Sequence, residues 1–456
     1  MSSFARLGRG KIMTQTMNKL DLSKIDEALD EMPLNRTHYT VFFFCFLLFF
    51  CYGYCLQALA LVVPLLATEW KLSADAFGIA LTAAVAGLGV MSVVAGSLGD
   101  RFGRRPFLIL AALLIGLGCL GTALSTDVTS LALWRLLSGI GLGLSLPNGM
   151  ALIADFVPTR RRVVAMTLLS GGVAIGTIAA GLLAPALIAA GGWKLLFIVG
   201  GILPLPLVAI MYFWLDESPR FLAKKHGYTP ALRALLERMN IVVSDLGQAE
   251  SMSQENAKTA PTTASMGRYL PLSIPYWIQC ALTGTFMYGL MNWTPVLFLN
   301  AGASEADSLR SVAYLNAGGF AGGFILSMLL DRSKDRVLFV PAAAFAFAAA
   351  VYLGAGTLIA TAGYSVTALF LGLALGTSFI AIGLASRIYP SEILATSIGL
   401  AAAIASLGGV AGPLAGSWIV AQGFPVGTSF GLLAVPAVVC VVAVLAVHFI
   451  NKRFKR

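Results

Sequence analysis

One cation lies inside an otherwise uncharged apolar stretch of the chain. Arg135 falls within the apolar run 131–154, about one helical turn from its start. An ionisable side chain at such a depth is costly and usually marks a binding site or a gate. A guanidinium there could bind a carboxylate or control a gate. Alternatively, its long stem could carry the charge to the nearby membrane interface.

Polar and aromatic side chains in other apolar runs could complete a binding site around this cation. Amide and phenol groups orient small solutes through hydrogen bonds, and an amide that faced lipid would go unpaired. A tyrosine taken alone more often packs in a core. Together with Arg135, we expect the substrate-binding residues to be Tyr52, Tyr54, Gln57, Gln279, Tyr288, Asn292 and Asn316.

Other chemistries lack the residues that they need. No apolar run holds a nucleophile beside a base, and no His, Cys and Asp cluster has metal-ligand spacing. We therefore expect neither an enzyme nor a metal or cofactor site. The six cysteines all fall in apolar runs and are expected to be buried free thiols. All 21 Asp and Glu residues lie outside these runs, so no carboxylate is placed to carry a proton across the middle of a membrane.

The elements that position these residues must be membrane spans. Hydrophobic residues make up 58% of the 456 residues and charged residues only 11%, which a soluble fold could not bury. Runs of about 20 apolar residues suffice to cross the hydrocarbon core. Twelve are present: 41–66, 77–98, 106–124, 131–154, 163–190, 195–215, 272–299, 311–330, 337–360, 366–386, 393–420 and 427–449.

The positions of the cations indicate the orientation. If the N-terminus is cytoplasmic, 27 of the 31 Lys and Arg residues fall in cytoplasmic segments. The net charge of +10 therefore reflects the positive-inside rule and not a nucleic-acid surface. We expect a multi-pass protein of the cell membrane, with lipid as its surroundings, both termini in the cytoplasm and no nucleic-acid partner.

The chain divides into two similar halves. The predicted order is a cytoplasmic segment (1–40), a six-helix bundle (41–215), a cytoplasmic central loop (216–271), a second bundle (272–450) and a tail (451–456). Asp100-Arg101 after the second span matches Asp331-Arg332 after the eighth, and Pro158 after the fourth matches Pro390 after the tenth. The offsets of 231 (331 − 100) and 232 (390 − 158) residues indicate a parallel duplication.

Four motifs resemble those of the major facilitator superfamily. They are Gly96-Ser97-Leu98-Gly99-Asp100-Arg101-Phe102-Gly103-Arg104-Arg105, Arg135 to Gly143 followed by Pro147-Asn148, Gly408 to Gly416 around Pro413, and Asp216-Glu217-Ser218-Pro219-Arg220. The resemblance runs from about residue 20 to the end. It is strongest to aromatic-acid/proton symporters and related organic-acid and nicotinate carriers. It implies an all-α fold of twelve transmembrane helices in two parallel-repeat bundles.

The resemblance also implies a function. We expect a secondary transporter of a small organic anion, such as an aromatic carboxylate, that works as a monomer by alternating access. A facilitator of a neutral or sugar-like solute and a sensor that binds without transport remain alternatives. Where organic-acid carriers usually have two aspartates in the first span, this chain has Tyr52-Gly53-Tyr54-Cys55, which leaves proton coupling open.

A cytoplasmic gate is expected where the second span leaves the membrane. Asp100 could accept from neighbouring helix N-termini and pair with Arg101 or Arg104, while Gly103 permits the tight turn. Simple anchoring of the span by its cations is the alternative. The repeat of the motif at Asp331 and Arg332 favours a gate.

Overall fold

The computed structural model describes residues 32–226, 229–239, 241, 269–332, 339–378 and 391–454. All regular secondary structure in these residues is helical. The first half forms α1 (Arg36–Trp70), α2 (Gly78–Phe102), α3 (Arg105–Ala123), α4 (Val128–Phe156), α5 (Thr159–Ile202) and α6 (Pro204–Trp214). A short 3₁₀ turn, Ala74–Phe77, precedes α2.

Two short helices follow, and then a second set of long helices. The short helices are α7 (Pro219–His226) and α8 (Pro230–Arg238). The second set consists of α9 (Leu270–Asn300), α10 (Glu305–Arg332), α11 (Phe339–Leu353), α12 (Ala355–Leu375), α13 (Ser391–Ala421) and α14 (Val426–Phe454).

Side chains before the helices fix where two of them begin. The Asn35 side chain accepts from the backbone N–H of Thr37 at 3.0 Å, which starts α1. The Asp127 carboxylate accepts from the backbone N–H groups of Thr129 and Ser130, both at 2.9 Å, which starts α4. The latter bonds lower the pKa of Asp127, because the hydrogen bonds from Ser130 and Thr129 favour its charged form.

The predicted all-α membrane fold is confirmed, with differences at the helix ends. Eight segments of the described residues are long and apolar enough to cross a membrane, and one of them, Val164–Trp214, contains two crossings. Within it the backbone leaves helical geometry at Gly191 and Gly192, where the chain turns back. A similar break at Gly363 lies inside α12.

Several predicted boundaries differ from those observed. The first helix begins at Arg36, so residues 36–40 belong to it and not to the N-terminal segment. The last helix continues to Phe454, beyond the predicted start of the tail. The predicted ninth span, 337–360, is interrupted at Gly354, between α11 and α12. Apolar patterning marks the membrane core, whereas capping groups and glycines set where each helix ends.

Equivalent helices of the two halves pack alike. In the first bundle α1 packs against α5 and α2 against α4, and in the second bundle α9 packs against α13 and α10 against α12. The two bundles meet where α1 packs against α9, α2 against α13 and α5 against α10. Next to the turn at 71–77, α2 and α13 approach closely, since a Cβ atom on Gly78 would overlap Ser417.

Part of the predicted cytoplasmic loop is folded onto the first bundle. Three side chains of α8, Leu232, Leu235 and Leu236, are buried in the same apolar core as α1, α3 and α4. The Asn35 side-chain amide donates to the Arg238 carbonyl at 3.0 Å. The loop helices therefore brace the start of α1.

Candidate functional site

Arg135 is buried against the backbone of α1. Only 1% of its surface is exposed. Its guanidinium donates to the carbonyl oxygens of Cys55 at 2.9 Å and Leu56 at 3.3 Å. The Nε–H group has no partner among the described residues. Arg135 therefore does not reach the membrane interface, and the alternative in which it carries its charge outward is wrong.

The sulfur of Cys55 lies in the same cluster. The Arg135 guanidinium reaches it at 3.5 Å, and the Cys119 sulfur of α3 lies 2.9 Å from it. Both cysteines are fully buried and free. We call Cys55, Cys119 and Arg135 the thiol–guanidinium cluster. The sequence placed these thiols only as buried residues, and their pairing depends on how α1, α3 and α4 pack.

Tyr54 forms its hydrogen bond inside the first bundle. Its hydroxyl donates to the Leu196 carbonyl of α5 at 3.0 Å, and its ring packs on Gly200. Only 2% of the side chain is exposed. Its single hydroxyl proton is therefore used inside the first bundle, and contact between Tyr54 and substrate stays a prediction.

Four predicted site residues meet where α1 crosses α9, and we call them the α1–α9 interface. The Gln57 side chain donates to the Met291 carbonyl at 3.0 Å. The hydroxyls of Tyr52 and Tyr288 interact with each other across the two bundles. Asn292 donates to the Tyr288 carbonyl of its own helix at 2.8 Å, which leaves its amide oxygen as an acceptor. The interface consists of Tyr52, Gln57, Tyr288 and Asn292.

The two remaining predicted binding residues lie elsewhere in the second bundle. Gln279 is fully buried on α9, and both polar atoms of its side chain lack a partner among the described residues. Asn316 of α10 donates to the Val312 carbonyl of its own helix at 2.9 Å. Neither forms a described hydrogen bond with the α1–α9 interface. A surface groove of about 640 Å³ opens elsewhere, along the first turns of α1.

The charges at the 99–105 turn form a network inside the first bundle. Arg104 pairs with Asp155 of α4 and, at 3.2 Å, with Asp100. Asp155 also pairs with Arg220 at 3.7 Å and accepts from the Ser218 hydroxyl. The network therefore joins α2, α3, α4 and α7.

Glu217, and not Asp100, is the carboxylate that accepts hydrogen bonds from the backbone at the start of α3, which corrects the prediction. Glu217 accepts from the backbone N–H groups of Arg104 at 3.0 Å and Arg105 at 3.1 Å. The Asp100 side chain is 71% exposed. Asp100 lies on the outer surface of the turn, whereas the sequence position of Glu217 just after α6 brings it beneath the turn.

Gly103 makes this arrangement possible. Its φ is +101°, and a Cβ atom there would overlap the Glu217 carboxylate. The predicted pairing of Asp100 with Arg104 is present, while the Arg101 guanidinium lies over the Phe102 ring, 5.2 Å from its centre. Asp331 and Arg332 are the last residues of α10, and their side chains lie outside the described residues.

The sequence is similar to a known protein family and to several characterised transporters. Residues 45–384 match the Major Facilitator Superfamily. The 3-(3-hydroxy-phenyl)propionate transporter of Escherichia coli is 32% identical over 90% of this chain and 94% of its own length. The 4-hydroxybenzoate transporter PcaK and a gallate transporter, both of Pseudomonas putida, are each 28% identical, over 95% and 92% of this chain and 98% and 94% of their own lengths.

Solved structures agree on the fold. A bacterial homologue of the lysosomal transporter Spinster, in an inward-facing and unoccupied conformation, aligns with a TM-score of 0.73 at 16% identity and covers 93% of this chain and 98% of its own. A D-xylose–proton symporter aligns with a TM-score of 0.67 at 19% identity, over 89% and 97% of the two chains. At this identity the likeness concerns the fold alone.

Proposed function

Because this chain belongs to the Major Facilitator Superfamily, we propose that it is a secondary transporter that moves a small aromatic carboxylate across the membrane by alternating access. The observation that carries the substrate class is the full-length similarity to three transporters named for hydroxybenzoate, gallate and hydroxyphenylpropionate. Each of these compounds joins an aromatic ring to an acid group. The recognition site must therefore combine an anion-binding group with apolar and hydrogen-bonding surface.

The proposed site has these parts. Arg135 supplies the cation, and its Nε–H, which has no partner among the residues that the structure describes, is a donor for a carboxylate oxygen. The nearby α1–α9 interface supplies the tyrosine rings and the Gln57 and Asn292 amides, which suit a ring with hydroxyl groups. Gln279 is a secondary candidate from the second bundle, since a buried amide is costly when, as here, both polar atoms lack a partner among the described residues. Asn316 of α10 is a further candidate.

Alternating access needs contacts that form at one end and break at the other. At the end that contains residues 71–77, Ser417 of α13 donates to the Asp75 carbonyl at 2.8 Å. Gln57 joins the two bundles nearer the middle. The distribution of Lys and Arg supports this end as the outer one, with both termini cytoplasmic. The arrangement fits a closed outer side, and the charge network around Arg104 and Asp155 is the proposed stabiliser of the inner side of the first bundle.

Exchange in proteoliposomes tests the substrate class. Purified protein should exchange radiolabelled 4-hydroxybenzoate for unlabelled acid, and 4-hydroxybenzamide, which has the same ring but no charge, should compete poorly. Exchange of a sugar but not of the acid would favour the facilitator, and saturable binding without any exchange would favour the sensor. Either result would refute the proposal.

Labelling in intact cells tests the orientation. In a variant whose own cysteines are replaced, a cysteine at position 127 should react with an impermeant thiol reagent added outside. A cysteine at position 260 should react only after the membrane is opened. The reverse pattern would place the termini outside.

A further inference from the structure

The thiol–guanidinium cluster raises a question of charge balance. Arg135 is 1% exposed, and its described partners are two carbonyl oxygens and a sulfur. Asp155, the carboxylate of α4, is 20 residues away (155 − 135), which is roughly 30 Å along a helix. Carbonyl oxygens solvate a buried cation but do not neutralise it, and an unbalanced charge in a membrane interior is costly.

The acidic group nearest to Arg135 among the described residues is the thiol of Cys55. Its sulfur receives a contact from the guanidinium at 3.5 Å and from the Cys119 thiol at 2.9 Å, with Cys119 as the donor. The Ser138 hydroxyl of α4, also close to this sulfur, donates to the Arg135 carbonyl at 2.9 Å. A cation and hydrogen-bond donors around one sulfur are the surroundings that stabilise a thiolate.

The other ionisable groups around Cys55 do not alter this balance. Cys51 is one turn away on the same helix, and Cys119 is the only further ionisable side chain that α3 presents in the described contacts. Tyr54, next to Cys55 on α1, donates its hydroxyl proton to the Leu196 carbonyl, and from α9 Tyr288 interacts with Tyr52. The cations of α5 lie at its ends, at positions 160–162 and 194. Arg135 is therefore the one fixed charge at this sulfur in the described part of the chain.

We propose that Cys55 is the counter-ion of Arg135 and the group that carries a proton during transport. In the substrate-free cluster the negative charge of the Cys55 thiolate and the positive charge of the Arg135 guanidinium sum to zero. When a carboxylate binds to Arg135, the Cys55 thiolate takes one proton from water and forms an S–H bond, so the sum is again zero. When the acid leaves on the other side of the membrane, the Cys55 S–H bond breaks and its proton passes to water there, which restores the thiolate. One proton then crosses with each acid anion, without a midplane carboxylate. The transport part of this proposal rests on the proposed function.

Ultraviolet absorbance of the thiolate tests the ion pair without transport. Purified wild-type protein in nanodiscs at neutral pH should show thiolate absorbance that Cys55→Ser removes. Arg135→Ala should remove it as well, because the thiolate loses its counter-ion. Cys280→Ser, a buried thiol of the second bundle, is the matched control and should leave the absorbance unchanged. Equal absorbance in wild type and in folded Cys55→Ser would overturn the proposal.

Coupling is tested separately in proteoliposomes. Cys55→Ser should still exchange labelled for unlabelled 4-hydroxybenzoate but lose accumulation driven by a proton gradient, whereas Cys55→Asp, which again carries a titratable group, should recover it. Cys280→Ser should accumulate as the wild type does. Gradient-driven accumulation by Cys55→Ser at the wild-type level would refute the proton-carrying role. Failure of the wild type to exchange any aromatic acid would refute the proposed function instead, while the absorbance measurement still decides the ion pair.

Discussion

The side-chain amide of Gln57 donates across the molecule to the backbone carbonyl of Met291, at 3.0 Å. The two residues lie on the first and seventh crossings, which are equivalent helices of the duplicated halves. Only 2% of Gln57 is exposed. Contact between the bundles at this point thus rests on a buried directional bond as well as on apolar packing.

The hydrogen bond between Ser417 and Asp75 offers a test of the proposed outer gate. Ser417→Ala removes the donor to the Asp75 carbonyl, whose loss costs about 0.5–1.5 kcal/mol. We expect the outward-open population to rise by roughly two- to tenfold. Spin labels at positions 72 and 422 should report it as a longer distance between the labels. Ser429→Ala is the control, since the Ser429 hydroxyl bonds within the second bundle. Equal shifts in both variants would contradict the gate.

Arg135 should distinguish acids from neutral analogues. Arg135→Ala should weaken binding of 4-hydroxybenzoate by about 1.5–3 kcal/mol, the range for a hydrogen bond to a charged group, and should affect 4-hydroxybenzamide less. Arg135→Lys keeps the charge but cannot reach Cys55 and Leu56 with one planar fork, so it should retain partial function. Competition binding measures both. Equal losses for acid and amide would leave Arg135 only a structural role.

Gly103 should be sensitive to the smallest substitution. Gly103→Ala forces a side chain into a positive-φ position and against the Glu217 carboxylate, so we expect a loss of about 1–3 kcal/mol in stability. Gly96→Ala, seven positions earlier (103 − 96), is the control because a Cβ atom there meets nothing within 4 Å. Thermal unfolding in detergent compares the two. An unchanged midpoint for Gly103→Ala would show that the turn adapts.

Glu217 should matter more than Asp100 to the stability of the first bundle. Glu217→Ala leaves the N–H groups at the start of α3 without their acceptor, a loss of about 1–3 kcal/mol. Asp100→Asn removes an exposed ion pair and should cost below about 1 kcal/mol. Both are measured by thermal unfolding, and transport by Asp100→Asn then reports any separate role in gating. A larger loss of stability for Asp100→Asn than for Glu217→Ala would show that Asp100 is the main stabilising carboxylate of the turn.

Asp127 gives a pH dependence with a defined sign. Its pKa in the folded protein is lowered by hydrogen bonds from Ser130 and Thr129, so its contribution to stability is present above the unfolded pKa and disappears as pH falls through the folded one. The midpoint difference between wild type and Asp127→Ala should therefore shrink in acid. Asp127→Asn, a neutral capping residue, should differ from Asp127→Ala by the same amount at every pH. A wild-type difference that persists below both pKa values would contradict the assignment.

The sequence by itself determined that lipid surrounds most of the protein, how often the chain crosses the membrane and that its two halves are repeats of each other. Apolar runs of membrane length and the separation of Lys and Arg into alternate loops are local properties, and the spacing of Asp100 and Asp331 records the repeat. The sequence also singled out Arg135, because a charge inside an apolar run needs no tertiary information to be recognised.

Only the tertiary structure decided which side chains meet. Tyr54 and Cys55 are adjacent in sequence, yet one faces Leu196 of α5 and the other Arg135 of α4. These spans are apolar on every side, so no polar stripe indicates which face turns toward which neighbour. The same holds at the 99–105 turn, where Glu217 replaces Asp100 beneath α3. Successive residues of a helix point about 100° apart, and packing between helices alone selects the direction that becomes a site.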